Sequence, residues 1–383
     1  MRIKIEDKFV NFFNNASVVL KLDSIGSVFS FSTHFSANDP EYQEILKPLQ
    51  YRKVELYTEE NELFFTGNII NHTFKSDKNR NLVTISGYSK AGILEDCTIP
   101  LKEYPLESNK QSLLDICTRL CGFYGIKVKV ATNISNLVNE TVKSKKRNDD
   151  LRQRANQVYG RTTASPTETI KDYLARLCSQ KNIILSHDQF GNVLLFQPEY
   201  DQLPKYFFTK GNTLEMELTF NGQAMHSEID VITQPSDDDS ENVVLNGKSL
   251  NTLIPIFRPT SKVLNSGEDF RQTAKNELAN ELSNIKLTIK LQGIFKNLYP
   301  GEIVNIHNHY IYCYAYNRFM IESVEFTMQA NEDVTILNCL IPEAFTGGAK
   351  IRNILFNHQD TDHHFEPELN ELQHDYMNNQ TIL

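Results

Sequence analysis

An unbroken alternation of apolar and polar residues over positions 285–292 is the feature that most limits the fold of this chain. The segment reads IKLTIKLQ, with Ile285, Leu287, Ile289 and Leu291 on one side and Lys286, Thr288, Lys290 and Gln292 on the other. Period-2 alternation predicts a strand with one buried face, because successive side chains point to opposite faces of a sheet. Such a face must pack against another layer, so the chain is expected to contain a packed β structure.

Further strand patterns lie towards both ends of the chain, and helical patterns lie between them. Strands are predicted at residues 17–23, 28–34, 51–58, 62–74 and 82–88, and again at 302–307, 319–329 and 334–341. Apolar residues at helical spacing predict helices at 111–121 and 268–282. Ser165-Pro166-Thr167-Glu168 has the form of a capping box and predicts the start of another helix. The predicted fold class is therefore α+β and mainly β.

Charge and composition exclude several classes of protein. The chain has 39 Lys+Arg against 48 Asp+Glu, a net charge of −9. General binding to nucleic acid is disfavoured, because affinity for phosphate needs clustered positive charge. No apolar stretch has the length of a membrane span, and the N-terminus lacks the apolar segment of a secretory signal. The 6 Cys are scattered over 383 residues, which is typical of reduced thiols in a cytoplasm.

Candidate chemistry is sparse. Cys117 and Cys121 share a helix face and could supply two metal ligands, but core packing is favoured because they lie on the apolar stripe. His307 and His309 form another possible ligand pair, with a strand-end surface pair as the favoured alternative. Carboxylate pairs are abundant, yet no catalytic motif accompanies them. We expect no enzyme activity, no cofactor and no metal.

Two segments depart from the rest in composition. Residues 132–164 contain KSKKRNDDLRQR, which is typical of a solvated loop or an exposed helix. Contact with phosphate is the alternative, but aromatic residues that could stack on bases are absent from this run. Residues 346–383 are strongly acidic and are expected to form an extended tail, either mobile or ordered on a partner.

Positions 83–97 carry a family resemblance. They read VTISGYSKAGILEDC, which resembles the signature of baseplate hub proteins of contractile-tailed phages, the Mu-like hub and late control protein D group. The likeness continues in the same order through residues 113–130, 167–196, 256–259, 268–282, 298–305 and 319–345. The positions that match the signature are Gly87, Tyr88, Ser89, Lys90, Gly92, Leu94, Asp96 and Cys97.

The resemblance implies an architecture. Hub proteins of this group are homotrimers whose subunits each contain two similar small β-barrels, so that three chains make a pseudo-sixfold ring. It implies a first barrel at 1–105, an α+β domain at 106–205 and a second barrel at 206–345, followed by the tail at 346–383. Strand 285–292, with Lys286, Thr288, Lys290 and Gln292 outward, is the candidate edge for pairing between subunits.

The resemblance also implies partners and a location. These are the tail tube protein, the central spike protein and baseplate wedge proteins, in the tail of a virion assembled in the cytoplasm of a bacterial host. Phage DNA would pass through the ring without specific binding, which suits a negatively charged chain.

Three alternatives remain. One is a hub of a related contractile injection system, either a tailocin or a type VI spike-like protein. The type VI form is disfavoured because the chain ends without a repetitive β-helical spike. The others are a tail enzyme that degrades cell-wall glycans and an adhesin that binds carbohydrate.

Overall fold

The computed structural model describes residues 1–10, 13–36, 38–58, 60–78, 80–103, 106–131, 142–198, 203–232, 245–264, 270–295, 297–329 and 333–345. Within these ranges, strands form one 13-stranded sheet and two three-stranded sheets. The same ranges contain 19 strands and six α-helices. The predicted class, α+β and mainly β, is confirmed.

The first part of the chain forms a β unit that we call the first module. Its strands are β1 (Arg2–Ile5), β2 (Lys8–Val10), β3 (Asn15–Lys21), β4 (Val28–His34), β5 (Lys53–Tyr57), β6 (Leu63–Ser76) and β7 (Asn81–Ser89). Helix α1 (Pro40–Ile45) lies between β4 and β5, and the short helix α2 (Ile93–Asp96) follows β7. Alternate residues of β3, β4 and β7 are buried, as their period-2 pattern predicts.

An α+β unit follows, in which helices pack on a three-stranded sheet. Its elements are α3 (Leu113–Gly122), β8 (Val128–Ala131), α4 (Val142–Asn156), α5 (Ile170–Gln180), β9 (Ile184–His187) and β10 (Val193–Phe196). Strand β10 is central, parallel to β8 and antiparallel to β9. The capped helix α3 begins at Ser112, which forms a reciprocal capping box with Asp115.

The last part forms a second β unit, the second module. Its strands are β11 (Tyr206–Thr209), β12 (Glu215–Phe220), β16 (Ile285–Gln292), β17 (Ile303–Asn308), β18 (Cys313–Gln329) and β19 (Asp333–Leu340). Between β12 and β16 the chain forms a small sheet of β13 (Glu228–Ile232), β14 (Leu245–Leu250) and β15 (Pro259–Val263), covered by α6 (Phe270–Leu282). The alternation in β16 is confirmed, since Ile285, Leu287, Ile289 and Leu291 are all buried.

One helix start differs from the sequence prediction. Ser165 and Glu168 form a turn in which the Ser165 amide donates to the Glu168 carboxylate, 3.1 Å apart. The helix begins later, at Thr169, whose hydroxyl accepts the Asp172 amide at 3.1 Å. Arg176 also holds the Glu168 carboxylate, so the predicted capping box is a separate turn ahead of the helix.

Other predictions fall partly or wholly outside the described residues. The acidic tail 346–383 and the first ten residues of the basic segment, 132–141, lie outside them. The rest of that segment includes α4, which buries Leu151 and Ala155 against the α+β unit. Over the ranges given above, no helix is long and apolar enough to cross a membrane.

Candidate functional site

The two modules repeat one strand order. The first runs β3-β4-β7-β6-β5-β1 and the second runs β12-β16-β19-β18-β17-β11. Strands in equivalent places also follow one another in the same order along the chain. The one difference in direction is that β11 is parallel to β17, whereas β1 is antiparallel to β5. Among the described residues, no strand pairing closes either path into a barrel.

A β-bulge lies at the same place in both modules. On β6, the pairing with β7 shifts between Ile69 and Asn71. On β18, the pairing with β19 shifts between Ile321 and Ser323. Because a bulge adds one residue at a fixed position in a strand, these two bulges align the modules residue by residue. Asn71 of the first module therefore corresponds to Ser323 of the second.

Beyond its bulge, β18 pairs with β3 of the first module. Residues Ser323 to Gln329 run antiparallel to Lys21 to Asn15. The side chains that face inward here, Val18 and Phe326, are 1% and 4% exposed. This pairing, which we call the internal junction, joins the two modules into one sheet with one hydrophobic core.

The signature residues lie where the chain leaves the first module for the α+β unit. They occupy β7, the turn after it and α2: Gly87, Tyr88, Ser89, Lys90, Gly92, Leu94, Asp96 and Cys97. Leu94 is fully buried and belongs to the core of the α+β unit. The Cys97 carbonyl accepts the Ile170 amide at the start of α5, 2.9 Å away. These residues therefore form a second contact zone, which we call the motif junction.

Polar contacts fix the motif junction. The Tyr88 hydroxyl donates to the Asp96 carboxylate at 2.7 Å, which ties the end of β7 to α2. The Lys90 ammonium donates to the Gly125 carbonyl of the α+β unit at 2.7 Å. Hydrogen bonds made by charged groups are stronger than neutral ones, so these two contacts hold the end of β7 against α2 and against the α+β unit.

A buried histidine completes the contact between the two units. His187, at the end of β9, is 8% exposed, and its Nε2 lies 2.6 Å from the Ser27 hydroxyl of the first module. Its Nδ1 lies 3.1 Å from the Asp188 carbonyl, which can only accept. The Nδ1 must therefore carry the proton, and Nε2 accepts from Ser27. The Ser27 oxygen in turn accepts the Lys21 amide at 3.0 Å.

Burial lowers the pKa of His187 below its ordinary value of 6.5. As the pH falls below about 6.5, the unfolded chain takes up a proton at this position and the folded chain does not. The free energy of unfolding should therefore decrease on acidification, by at most about 1.4 kcal/mol per pH unit for this one group. Urea denaturation between pH 7.5 and 5 measures this slope.

His187→Gln is expected to flatten the slope. His34→Gln, on the exposed end of β4, is the matched control and should leave it unchanged. An equal slope in wild type and His187→Gln would show that His187 does not titrate on unfolding.

The turn after His187 is held by a buried carboxylate. The Asp188 side chain is 1% exposed and accepts the Lys129 ammonium at 2.7 Å and the Asn192 amide at 2.9 Å. Gly191 in this turn has a φ of +74°, and a Cβ there would lie 2.5 Å from the Cβ of Lys90. The turn thus needs glycine both for its backbone angle and for its close approach to the signature residue.

The predicted edge strand for pairing between subunits is wrong. Strand β16, which carries Lys286, Thr288, Lys290 and Gln292, pairs with β12 on one side and β19 on the other. Alternation shows which face of a strand is buried, but it says nothing about which strands flank it. In the part of the chain that the structure describes, the strand outside β16 at this end of the sheet is β12.

The cysteine pair lies in a packed core, whereas the histidine pair lies at the end of β17, where His309 is exposed. Cys117 and Cys121 are fully buried in the core of the α+β unit, and burial raises the pKa of the Cys121 thiol. The rings of His307 and His309 lie 4.6 Å apart, and burial together with His309 lowers the pKa of His307. Within the described ranges, no group of three or more His, Cys, Asp or Glu side chains is placed to hold a metal.

A cleft of about 430 Å³ lies where α5, α6 and β18 meet. Glu322, the bulge residue of β18, is in its wall, and burial followed by the nearby Asp23 raises its pKa. The cleft is a groove between units, since the rest of its wall includes Ser179 of the α+β unit and Asn276 of α6.

The contact residues Ser27 and His187 were not found by sequence reasoning. Ser27 lies in the short loop before β4, and His187 ends an apolar strand just ahead of the turn Asp188–Gly191. A polar residue at the end of an apolar run was the available signal. Pairing it with a serine 160 positions earlier needs the fold.

Two solved structures of tail proteins are similar to this fold. The 43 kDa tail protein of prophage MuSo2 from Shewanella oneidensis has a TM-score of 0.70 at 17% identity, covering 90% of this chain and 98% of that one. A tail protein from Neisseria meningitidis MC58 has a TM-score of 0.69 at 16% identity, with 90% and 98% covered.

A more distant similarity extends to a secretion system. An Escherichia coli component of the type VI secretion system, described as structurally similar to the T4 bacteriophage tail proteins gp27 and gp5, has a TM-score of 0.53 at 8% identity. It covers 88% of this chain and 76% of that one. No protein-family model and no curated protein matches the sequence. The chain therefore has the fold of prophage tail proteins, the fold that its resemblance to phage baseplate hubs implied.

Proposed function

We propose that this chain is a structural hub protein of a phage tail baseplate. In this role it forms a homotrimer that adapts a sixfold tail tube to a threefold central spike. The observation that carries the proposal is the repeated strand order of the two modules in one chain. Three chains then present six similar modules, so a ring of threefold symmetry offers nearly sixfold contacts on one face.

The fold similarity to two prophage tail proteins supports a place in a tail. The corresponding domain boundaries are 1–105, 106–205 and 206–345, with the acidic residues 346–383 as a tail. The partners would be the tube, spike and wedge proteins in the virion, and phage DNA would pass through the central channel. A net charge of −9 favours passage without adhesion, since positive walls would hold phosphate.

The oligomeric state tests this function. Light scattering on the purified chain is expected to give three times the monomer mass of 44.1 kDa. Negative-stain images should show a ring of six lobes around a hole, with the α+β units outside it. A monomer at micromolar concentration, or a particle with no central hole, would contradict the proposal.

A hub of a related contractile injection device is the second candidate. The similarity to a type VI secretion component favours it. Both candidates predict a trimer, but they differ in the tube they cap. Binding to purified phage tail tubes, without binding to type VI inner-tube rings, would decide for the phage hub. Hydrolysis of peptidoglycan by the purified chain would instead support a tail enzyme.

A further inference from the structure

Strands β6 and β18 occupy equivalent places, but only one of them is paired on both sides beyond its bulge. The outer part of β18 lies between β19 and β3. The outer part of β6, from Asn71 to Ser76, pairs with β7 alone. In the part of the chain that the structure describes, the place equivalent to the internal junction is therefore vacant in the first module.

Burial shows the same difference residue by residue. Phe326 in the internal junction is 4% exposed, whereas its counterpart on β6, Phe74, is 45% exposed. On the opposite strand of the junction, Leu20 is 6% exposed, whereas its counterpart on β12, Phe220, is 38% exposed. Phe74 and Phe220 are thus exposed apolar side chains at places where the internal junction buries its own apolar side chains.

Strand β12 is the counterpart of β3 and presents a matching edge. The Asn221 amide donates to the Asn284 carbonyl at 3.1 Å. This bond shows which residues of β12 point their backbone N–H and C=O groups towards β16. The backbone hydrogen-bonding groups of an antiparallel strand alternate in direction from one residue to the next. The backbone groups that bond to β16 are therefore those of Thr219, Glu217 and Glu215. The backbone groups of Leu218 and Met216 therefore point away from β16, at the outer edge.

The direction of the backbone hydrogen-bonding groups of β6 follows from the same argument. The Asp77 amide donates to the Arg80 carbonyl at 3.1 Å, in line with the pairing of β6 and β7. Because the direction alternates along the strand, the backbone N–H and C=O groups of Lys75 and Thr73 point towards β7. It leaves the backbone groups of Phe74 and Ser76 pointing towards the vacant side.

We propose that β12 of a second copy of this chain pairs antiparallel with the outer part of β6 and closes the ring. The inference rests on the proposed trimer and names its contact. Transferring the register of the internal junction places Phe74 opposite Leu218 and Ser76 opposite Met216. These are the residues whose backbone groups face outward on both strands. The transferred register therefore places backbone donors opposite backbone acceptors. A slip of one residue would bring together groups that point away from each other.

The side chains on the outer face also suit this pairing. In the same register Lys75 lies opposite Glu217, and both are exposed in the single chain. Directly opposed residues of opposite charge stabilise antiparallel strands. Glu215 falls opposite Asp77, a like-charge pair that opposes the pairing. The cation of Arg80, 4.0 Å from the Asp77 carboxylate, offsets part of this repulsion.

Cysteine cross-linking tests the pairing directly. Lys75 and Glu217 would form a non-hydrogen-bonded pair, in which Cα atoms are about 4.5 Å apart and a disulfide fits. The variant Lys75→Cys/Glu217→Cys is expected to give covalent dimers and trimers under mild oxidation. Five of the six native cysteines are buried, so background cross-linking should be low.

Matched variants separate the possible outcomes. The variant Ser17→Cys/Thr327→Cys places a cysteine pair at the equivalent position of the internal junction. It should form a disulfide within one chain and give no covalent dimers or trimers. Lys75→Cys/Glu215→Cys shifts the register by two residues and should cross-link at least tenfold more slowly. A trimer by light scattering with no 75–217 cross-link, or with a faster 75–215 one, would overturn the pairing and leave the hub function standing. A monomer in both wild type and variant would overturn the hub function itself.

Discussion

Leu218→Pro is expected to leave the chain folded and to abolish its trimer. The Leu218 amide faces away from β16, so a proline there removes no hydrogen bond within the chain. In the proposed ring it removes one hydrogen bond from each of the three contacts between subunits and leaves a carbonyl on β6 without a partner. At about 2 kcal/mol for each junction, the loss is about 6 kcal/mol, or about 10⁴-fold in the assembly constant.

Light scattering over a dilution series, with circular dichroism for folding, measures this effect. Leu218→Val keeps the amide and should remain trimeric. Glu217→Pro breaks a bond to β16 and should lower the melting temperature even in the monomer. A Leu218→Pro protein with the mass of a trimer would show that β12 is not the closing edge.

Gly87→Ala is expected to lower the free energy of unfolding by about 3 kcal/mol, the upper range for overpacking a core. A Cβ at Gly87 would overlap the Asn68 carbonyl on β6 and lie 2.9 Å from the ring of Phe29. Both neighbours are held by the sheet, so the new methyl group can be accommodated only if β6 and β7 move apart. Urea denaturation with a tryptophan-independent signal, such as far-UV circular dichroism, measures the change.

Gly122→Ala is the matched control for this variant. A Cβ at Gly122 meets nothing within 4 Å, and alanine favours the helix by up to about 1 kcal/mol. The control should therefore be equal to wild type or more stable. Equal unfolding midpoints for Gly87→Ala and Gly122→Ala would contradict the close approach of β6 to β7.

Sequence patterns predicted the faces of strands well and their neighbours poorly. The alternation in β16 correctly places Ile285, Leu287, Ile289 and Leu291 in the core. The same pattern fits an edge strand and a central strand equally, because side chains report the faces of a sheet while pairing occurs through the backbone. The edge was therefore assigned to β16 rather than to β12.

The repeat between the modules was reached only through family resemblance. The strand order is shared, but the side chains at equivalent places differ: Gly87 on β7 corresponds to Cys339 on β19. A sheet can keep its path while its side chains change, provided that one face stays apolar. Helix α3 was easier to predict, because its cap and its buried stripe are both local to residues 112–122.

The internal junction has a consequence for how such a ring forms. Bringing separate bodies together costs translational and rotational freedom, an estimated 4–15 kcal/mol for each body after the first. A ring of six separate modules would incur that cost five times, whereas three chains with β3 already seated on β18 incur it twice. Half of the contacts then arise during folding and do not depend on concentration, so the ring can persist at subunit levels where six unlinked modules would fall apart.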